Sequence, residues 1–394
     1  MTTPKLRFKE FDGDWDTSKI DKIASVTSGG TPSRANPEYW NGDIPWVTTS
    51  LVDFNVIHSA EEFITKEGVN NSSAKLFPKD TILMAMYGQG ITRGKVAILG
   101  IEATTNQACC AIKLKDGYET QFIFQNLMNR YDEIRDLSND GGQKNLSAGI
   151  IKDIEISIPS KGEQTKIATF LSAVDEKISQ LMQKHQLLSQ YKQGMMQKLF
   201  SQQIRFKADD GSEFEEWEEK QLGDVCHFIN GRAYKQTEWE KEGTPVIRLQ
   251  NLTGSGKEYY YSTLNLPDHQ YCYNNDLLYM WSATFGPIFW QGEKAIFHYH
   301  IWKVEVEPQQ LDKQYMYYLL DEMTEKMKSS LNGSTMLHVT KQGMESTKKN
   351  LPSIEEQTKI ANFLSAIDQK IDVVSEQLEQ AKLWKKGLLQ QMFV

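Results

Sequence analysis

EQTKIATFLSA stands at residues 163–173 and EQTKIANFLSA at residues 356–366. An offset of 193 relates the two, and it holds over the next thirty residues: Asp175 falls on Asp368, Lys192 on Lys385, Gly194 on Gly387 and Phe200 on Phe393. A duplication of this length has to be settled before any other feature is read. Each copy opens as a helix should. Ser160-x-x-Glu163 and Ser353-x-x-Glu356 have the form of capping boxes placed directly before an apolar period. Apolar positions then alternate by four and three. They run Ile167, Leu171, Val174, Ile178, Leu181, His185, Leu188, Lys192, Met195, Leu199 in the first copy. In the second they run Ile360, Leu364, Ile367, Ile371, Val374, Leu378, Ala381, Lys385, Leu388, Met392. That is a coiled-coil seam, and two copies in matched register are expected to pair with each other. A lysine occupies the same seam position in both (Lys192, Lys385). It either fixes register or snorkels from a frayed end, and snorkelling is the expectation.

The segments ahead of the helices correspond more weakly. Leu6-Arg-Phe-Lys9 matches Ile204-Arg-Phe-Lys207, each followed by a tryptophan, Trp15 or Trp217. Ile82–Met86 aligns with Leu277–Trp281, and Lys95–Ile98 with Lys294–Phe297. Each segment mixes short β-like runs with turns and then one amphipathic helix, near Phe122–Asp136 and Lys313–Ser329. The expected fold is α+β: two β-rich regions, 1–160 and 204–353, alternate with two long helices, 161–203 and 354–394. The helices form an antiparallel coiled coil, and the chain is a pseudo-two-fold internal repeat. The antiparallel sense follows if the ends of the second β-rich region lie close together, as domain ends usually do. A helix over 163–200 spans roughly 57 Å at about 1.5 Å per residue and serves as a ruler.

Composition narrows the function. The chain has 394 residues, 39% hydrophobic and 24% charged, ordinary for a globular protein. No apolar run reaches the roughly 18 residues of a membrane span, and Met1–Lys5 shows no apolar signal core, so a cytoplasmic location is expected. The net charge of −8 argues against a protein that coats nucleic acid, but leaves room for a local basic footprint. Seven acids crowd Asp209–Glu219 and read as a solvated linker face. Cys109, Cys110, Cys226 and Cys272 form no C-x-x-C pair and read as buried thiols.

Catalytic motifs fail on inspection. Asn36-Pro-Glu-Tyr39 resembles the N-P-P-Y element of adenine methyltransferases but lacks the second proline. No glycine-rich turn after a strand offers an S-adenosylmethionine site. Gly90–Lys95 resembles a P-loop, yet its spacing is one residue short and Val96 replaces the hydroxyl that would ligate magnesium. His298 and His300 share a strand face without acidic company, so strand residues rather than metal ligands are expected. No nucleophile elbow is present.

Several segments suit contact with nucleic acid, each with a plain surface turn as the competing reading. In the first half these are Ser28–Arg34 (Thr31, Ser33, Arg34) and Tyr87–Lys95 (Tyr87, Gln89, Thr92, Arg93, Lys95). In the second they are Asn230–Lys235 (Arg232, Tyr234, Lys235), Arg248–Asn251 (Arg248, Gln250, Asn251) and Gly333–Lys341 (His338, Lys341), the last matching Gly142–Leu146. Glycines let backbone amides approach phosphates, and Arg or Gln forms bidentate contacts with guanine or adenine edges. Trp40, Trp46, Tyr279, Trp281 and Trp290 read as core.

At this point the chain resembles the specificity (S) subunits of type I restriction–modification systems. The likeness lies in Gly29-Gly-Thr-Pro-Ser33 through Asn36–Trp46, in Gly231–Gln236 with Gly243–Leu252, and in Pro-x-x-x-Glu-Gln at Pro159–Gln164 and Pro352–Gln357. It covers essentially the whole chain. The resemblance implies two target recognition domains, each reading one half of a bipartite asymmetric site on double-stranded DNA. It implies two methyltransferase subunits docked on the helices and restriction (translocase–nuclease) subunits beyond them. Ile167, Leu171, Val174, Ile360, Leu364 and Ile367 are the expected partner-binding residues. S-adenosylmethionine, ATP and magnesium would belong to the partners, and this chain would hold no cofactor, no metal and no catalytic residue. Two alternatives remain: an enzyme, either a specificity chain serving a fused-type restriction system or a cryptic methyltransferase, and a pure coiled-coil scaffold. The missing cofactor motif opposes the first, and the divergence of the two β-rich regions opposes the second.

Overall fold

A computed structural model describes residues 3–88, 91–137, 145–282, 284–330 and 339–394. The chain divides into two compact units, Met1–Gln183 with Glu376–Val394, and Lys184–Ser375. Each unit therefore holds part of both long helices, Lys161–Phe200 and Ile354–Met392.

Unit 1 contains a five-stranded sheet in the order Ala24–Ser28, Cys109–Leu114, Ile82–Ala85, Val96–Leu99, Val56–Ile57. A four-stranded sheet runs Glu62–Ile64, Trp40–Val47, Ala103–Thr105, Leu76–Phe77. Asp16–Lys19 pairs with Glu155–Ile158 in a small third sheet. The sheet strands Ile82–Ala85 and Val96–Leu99 are buried throughout, which explains their unbroken apolar runs. The helix Thr120–Asn129 covers them, and the expected single helix over Phe122–Asp136 breaks at Arg130 before resuming as Tyr131–Asp136. Its core joins Trp15, Phe122, Ile167 and Leu171 to Leu388 and Met392. The start of one long helix thus lies against the end of the other, which makes the pairing antiparallel.

Unit 2 repeats this order except for the edge strand Val56–Ile57, which has no counterpart in its larger sheet. Its larger sheet runs Cys226–Asn230, Ile301–Val306, Leu277–Ser282, Thr284–Phe289. Its second runs Tyr260–Ser262, Thr244–Ile247, Ala295–Phe297, Tyr271–Cys272, and Glu218–Gln221 pairs with Lys348–Leu351. In both units the central pair of the second sheet is parallel and the flanking pairs antiparallel. Topology corrects one equivalence. Ala295–Phe297 occupies the place of Ala103–Thr105, while Val96–Leu99 corresponds to Thr284–Phe289. The expected match of Lys95–Ile98 to Lys294–Phe297 arose because both are a lysine followed by a buried apolar run, a pattern any interior strand can share.

All twenty seam positions are buried or half-buried. The seam lysines are not snorkelling. In unit 1 the Lys385 ammonium lies 2.5 Å from Asp175, and in unit 2 that of Lys192 lies 2.7 Å from Asp368. Each lysine is largely covered, so its charge needs a fixed partner, and the facing aspartate supplies one at a single register. The capping boxes form only in half. Ser160 and Ser353 accept from the amides of Glu163 and Glu356, but both glutamate side chains turn away from the cap. Glu163 binds Arg7 through two nitrogens, and Glu356 binds Arg205 likewise plus the indole of Trp217. These carboxylates are almost wholly buried, and a guanidinium neutralises them where one amide would not. The neighbouring Gln164 and Gln357 bridge Pro159 and Pro352 carbonyls to the amides of Glu119 and Asp312. The EQ dipeptide of the repeat thus fastens the arm, the helix start and the preceding strand together.

Acids of the Asp209–Glu219 run find local cations: Asp209 meets Lys359, Glu213 meets Lys207 and Glu219 meets Lys348. The four cysteines are buried, and desolvation pushes each thiol up to about 12, so they remain protonated.

Candidate nucleic-acid interface

In each unit the chain crosses from the larger sheet to the second immediately after the first strand of the larger sheet. In unit 1 the Gly29 amide reaches the Cys109 carbonyl and that of Gly30 the Thr105 carbonyl. In unit 2 Gly231 reaches Ile301 and Arg232 reaches Phe297. Both crossings need glycine. A Cβ on Gly29 would lie 2.2 Å from the Thr105 carbonyl oxygen, and one on Gly231 2.3 Å from that of His298.

The unit 1 loop is pinned from beneath. The Trp46 indole donates to the Gly30 carbonyl at 3.0 Å, and the Trp40 indole to that of Ser33 at 3.1 Å. The Arg34 guanidinium sits over the Trp40 ring, its Cζ 3.6 Å from the centroid, with Trp46 at 5.1 Å. Its two terminal nitrogens donate to the two oxygens of Glu62 at 2.5 and 2.8 Å. That pairing holds the Glu62 carboxyl below the usual carboxylate range. Thr31 is tied to Gln107, and Ser33 is exposed.

Unit 2 builds the same place from other residues. Arg232 lies 4.3 Å from the Tyr234 ring centroid and donates to Glu238 at 2.5 Å. Tyr234 stacks on Trp239, and Trp239 packs against Tyr260. Arg248 sits over Trp239 and Tyr260 at 5.7 and 5.3 Å. Lys235 is exposed beside them. The Tyr234 hydroxyl is buried, and its ring lies against the Arg232 guanidinium.

Other expected contact residues are placed differently. Lys95 pairs with Asp53 and lies near the Phe54 ring, only 13% exposed, so it braces its hairpin rather than presenting a cation. Thr92 and Arg93 are half-buried in the same hairpin, and Tyr87 is exposed. Asn251 accepts from the Arg248 amide and donates to the Glu258 carbonyl, so its amide is used in the turn, while Gln250 is half-exposed. Lys341 pairs along its helix with Glu345. Gln89, His338 and the Gly142–Lys144 segment lie outside the described residues. Ile167, Leu171, Val174, Ile360, Leu364 and Ile367 are at most 5% exposed. They are consumed by the cores of their own units, which corrects their expected role as partner contacts.

The family model described as the type I restriction modification DNA specificity domain matches residues 12–190 and again residues 214–383. The chain belongs to this family.

The specificity-domain chain is 32% identical over 270 residues to the type I restriction enzyme MjaIX specificity subunit of Methanocaldococcus jannaschii, covering 63% of this chain and 61% of that one. To the MjaVIII specificity subunit of the same organism it is 24% identical over 97% of this chain and 94% of the relative. In fold it is similar to the crystal structure of the S subunit of a type I restriction–modification system from M. genitalium. There the TM-score is 0.60 at 18% identity, with 100% of this chain and 99% of that one covered.

The acidic half of each cluster carries no mark in the sequence of this family member, and His298 and His300 read there as plain strand residues. Glu62 and Glu238 lie 28 and 6 residues from their arginines, and only the fold reveals the pairing. His298 follows Ala295–Phe297 as a bridge residue opposite Arg232, and only His300 lies in the turn before Ile301–Val306; Arg248 is near both. Burial, then His300 and Arg248, lowers His298 to about 4. Its folded pKa therefore lies below the unfolded value of 6.5, and the unfolded chain binds the extra proton in between. Stability from this group is present above about 6.5 and is lost as pH falls towards 4. Melting temperatures of unit 2 from pH 7 to 4 should fall more steeply than those of His298→Phe. Parallel curves would show that His298 does not titrate in this window. Among the described residues no group of three His, Cys, Asp or Glu side chains is placed to hold a metal. No helix among the described residues is long and apolar enough to cross a membrane.

Proposed function

We propose that this chain is the sequence-specific DNA-binding subunit of a type I restriction–modification complex. Each unit reads one half of a bipartite, asymmetric double-stranded target. The chain itself carries no catalytic centre. It brings two adenine-methyltransferase subunits and ATP-dependent restriction subunits to the site, and S-adenosylmethionine, ATP and magnesium act on those partners. One observation carries the reading. Two units share a strand order, yet at the same crossing one offers Arg34 on tryptophan and the other Arg232 and Arg248 on Tyr234, Trp239 and Tyr260. A shared frame with different donors suits two different base sequences. Local cations on an acidic chain also favour contact at these clusters rather than general adhesion to DNA.

Because the seam is occupied, the methyltransferase subunits meet the outward helix face. Tyr191 and Trp384 stand at equivalent repeat positions there, 51% and 55% exposed, with Leu187 and Leu383 also outward. Exposed aromatics of this kind are common anchors of protein interfaces.

The test is an exchange of residues 204–352 for the matching region of another family member. Methylated adenines mapped in cells carrying the exchange should show a new second half-site and an unchanged first. A simultaneous change of both halves would defeat the modular reading.

A further inference from the structure

Arg34 and Glu62 form a bidentate pair at a position open to solvent, with side chains 55% and 39% exposed. An exposed pair of this sort adds little to stability. Yet it is held with care: the guanidinium is seated on Trp40, and both tryptophans beneath are hydrogen-bonded to the loop that carries the arginine. The partner comes from the edge strand Glu62–Ile64, with Glu62 opposite Trp46 across the sheet. Unit 2 repeats the constellation with unrelated residues, Arg232 over Tyr234 with its nitrogen on Glu238, and the Lys235 amide fixing that carboxylate at 2.8 Å.

We propose that Arg34 and Glu62 act together as a specificity determinant that reads one G·C base pair in the major groove. The proposal rests on the DNA-recognition reading above. Across that groove a G·C pair presents two acceptors on guanine, N7 and O6, followed by the N4 donor of cytosine. When the fork of Arg34 leaves Glu62 for N7 and O6, the freed carboxylate finds a donor in the adjacent N4–H. Both members of the pair exchange one partner for another, and nothing charged is left unmatched. An A·T pair offers N7, the N6 donor and the thymine O4 acceptor in the same order. There the second arm of the fork meets a donor, and the carboxylate meets an acceptor. A backbone phosphate satisfies the fork but leaves the carboxylate beside an anion. Glu62 therefore discriminates against both A·T and non-specific phosphate contact, a role a lone arginine does not fill.

The experiment uses the full chain assembled with its methyltransferase subunits, acting on a DNA library with both half-sites randomised. Glu62→Gln replaces the acceptor-only carboxylate by an amide that can donate to O4. Arg34→Lys keeps the charge and removes the fork. Each variant should relax the same single position of the first half-site, with preference for G·C over A·T there falling about tenfold or more. Every other position and the whole second half-site should stay as in the parent, and the melting temperature should be unchanged. A motif unaltered in both variants would overturn the proposal. So would a uniform weakening across the first half-site, since that is the behaviour of a phosphate contact or a brace. Methylation by the parent complex without any two-part motif would instead remove the recognition reading, and this proposal with it.

Discussion

Arg205→Ala is expected to cost unit 2 about 3–5 kcal/mol of stability, because it strands a buried carboxylate. Glu356 is fully buried, and Arg205 holds its two oxygens at 3.1 and 2.8 Å. The same guanidinium also donates to the Glu215 carbonyl at 2.6 Å, which ties the arm ahead of Trp217 to the helix start. After truncation, the Trp217 indole at 3.0 Å is the one hydrogen-bond donor to the carboxylate left among the described residues. Denaturant unfolding should show the loss, and the melting temperature should drop by roughly 10 °C, at about 2–4 °C per kcal/mol for a unit of this size. Replacing both partners by apolar residues, as in Arg205→Met with Glu356→Leu, should restore most of it, since the penalty comes from the unmatched charge. A loss below about 1 kcal/mol for the single change would mean that water reaches Glu356. In unit 1 the Trp15 indole does not reach the equivalent Glu163, so Arg7→Ala should cost at least as much.

Gly29→Ala carries the second large effect, about 3 kcal/mol or somewhat more, at the upper end for overpacking. The added carbon would sit 2.1 Å from the Thr105 hydroxyl oxygen and 2.2 Å from its carbonyl oxygen. The hydroxyl could rotate aside, but the carbonyl belongs to Ala103–Thr105, a strand held on both edges, and accepts from Gly30. Relief must therefore come from the loop, and the loop carries Thr31, Ser33 and Arg34. Reduced stability should accompany weakened methylation through the first half-site alone. Gly13→Ala is the control, because its Cβ would meet nothing, although the positive φ of 76° there adds a small strain of its own. Equal melting temperatures for Gly29→Ala and the parent would show that the crossing yields more easily than its geometry suggests.

The duplicated helices were legible in the sequence because a seven-residue period and a 193-residue offset are both one-dimensional signals. The strand equivalences were only half legible. Ile82–Met86 aligned correctly with Leu277–Trp281, whereas Val96–Leu99 was matched to the wrong strand. Interior strands are apolar on both faces, so one resembles another, and only hydrogen-bonded order distinguishes them. At the candidate interface the arginines could be picked out as loop cations. Glu62 could not, nor could the bracing of Lys95 by Asp53, since these contacts join residues 28 and 42 positions apart. Glu238 is only six residues from Arg232, but nothing in a loop of mixed charges marks which acid the arginine takes. The helix-opening glutamates misled for a related reason: Ser-x-x-Glu describes a local bond, and a distant arginine offered a stronger one.

The reciprocal lysine–aspartate pairs bear on inheritance. Each half of the gene encodes one aspartate early in its helix and one lysine seventeen residues later, Asp175 with Lys192 and Asp368 with Lys385. Each unit closes its lock with one residue from either half. A half taken from any other gene that keeps this spacing brings the complementary charge for both locks, whatever its loops have become. The pairing works as a standard fitting, so recombination between two such genes can shuffle recognition surfaces without having to re-evolve the joint.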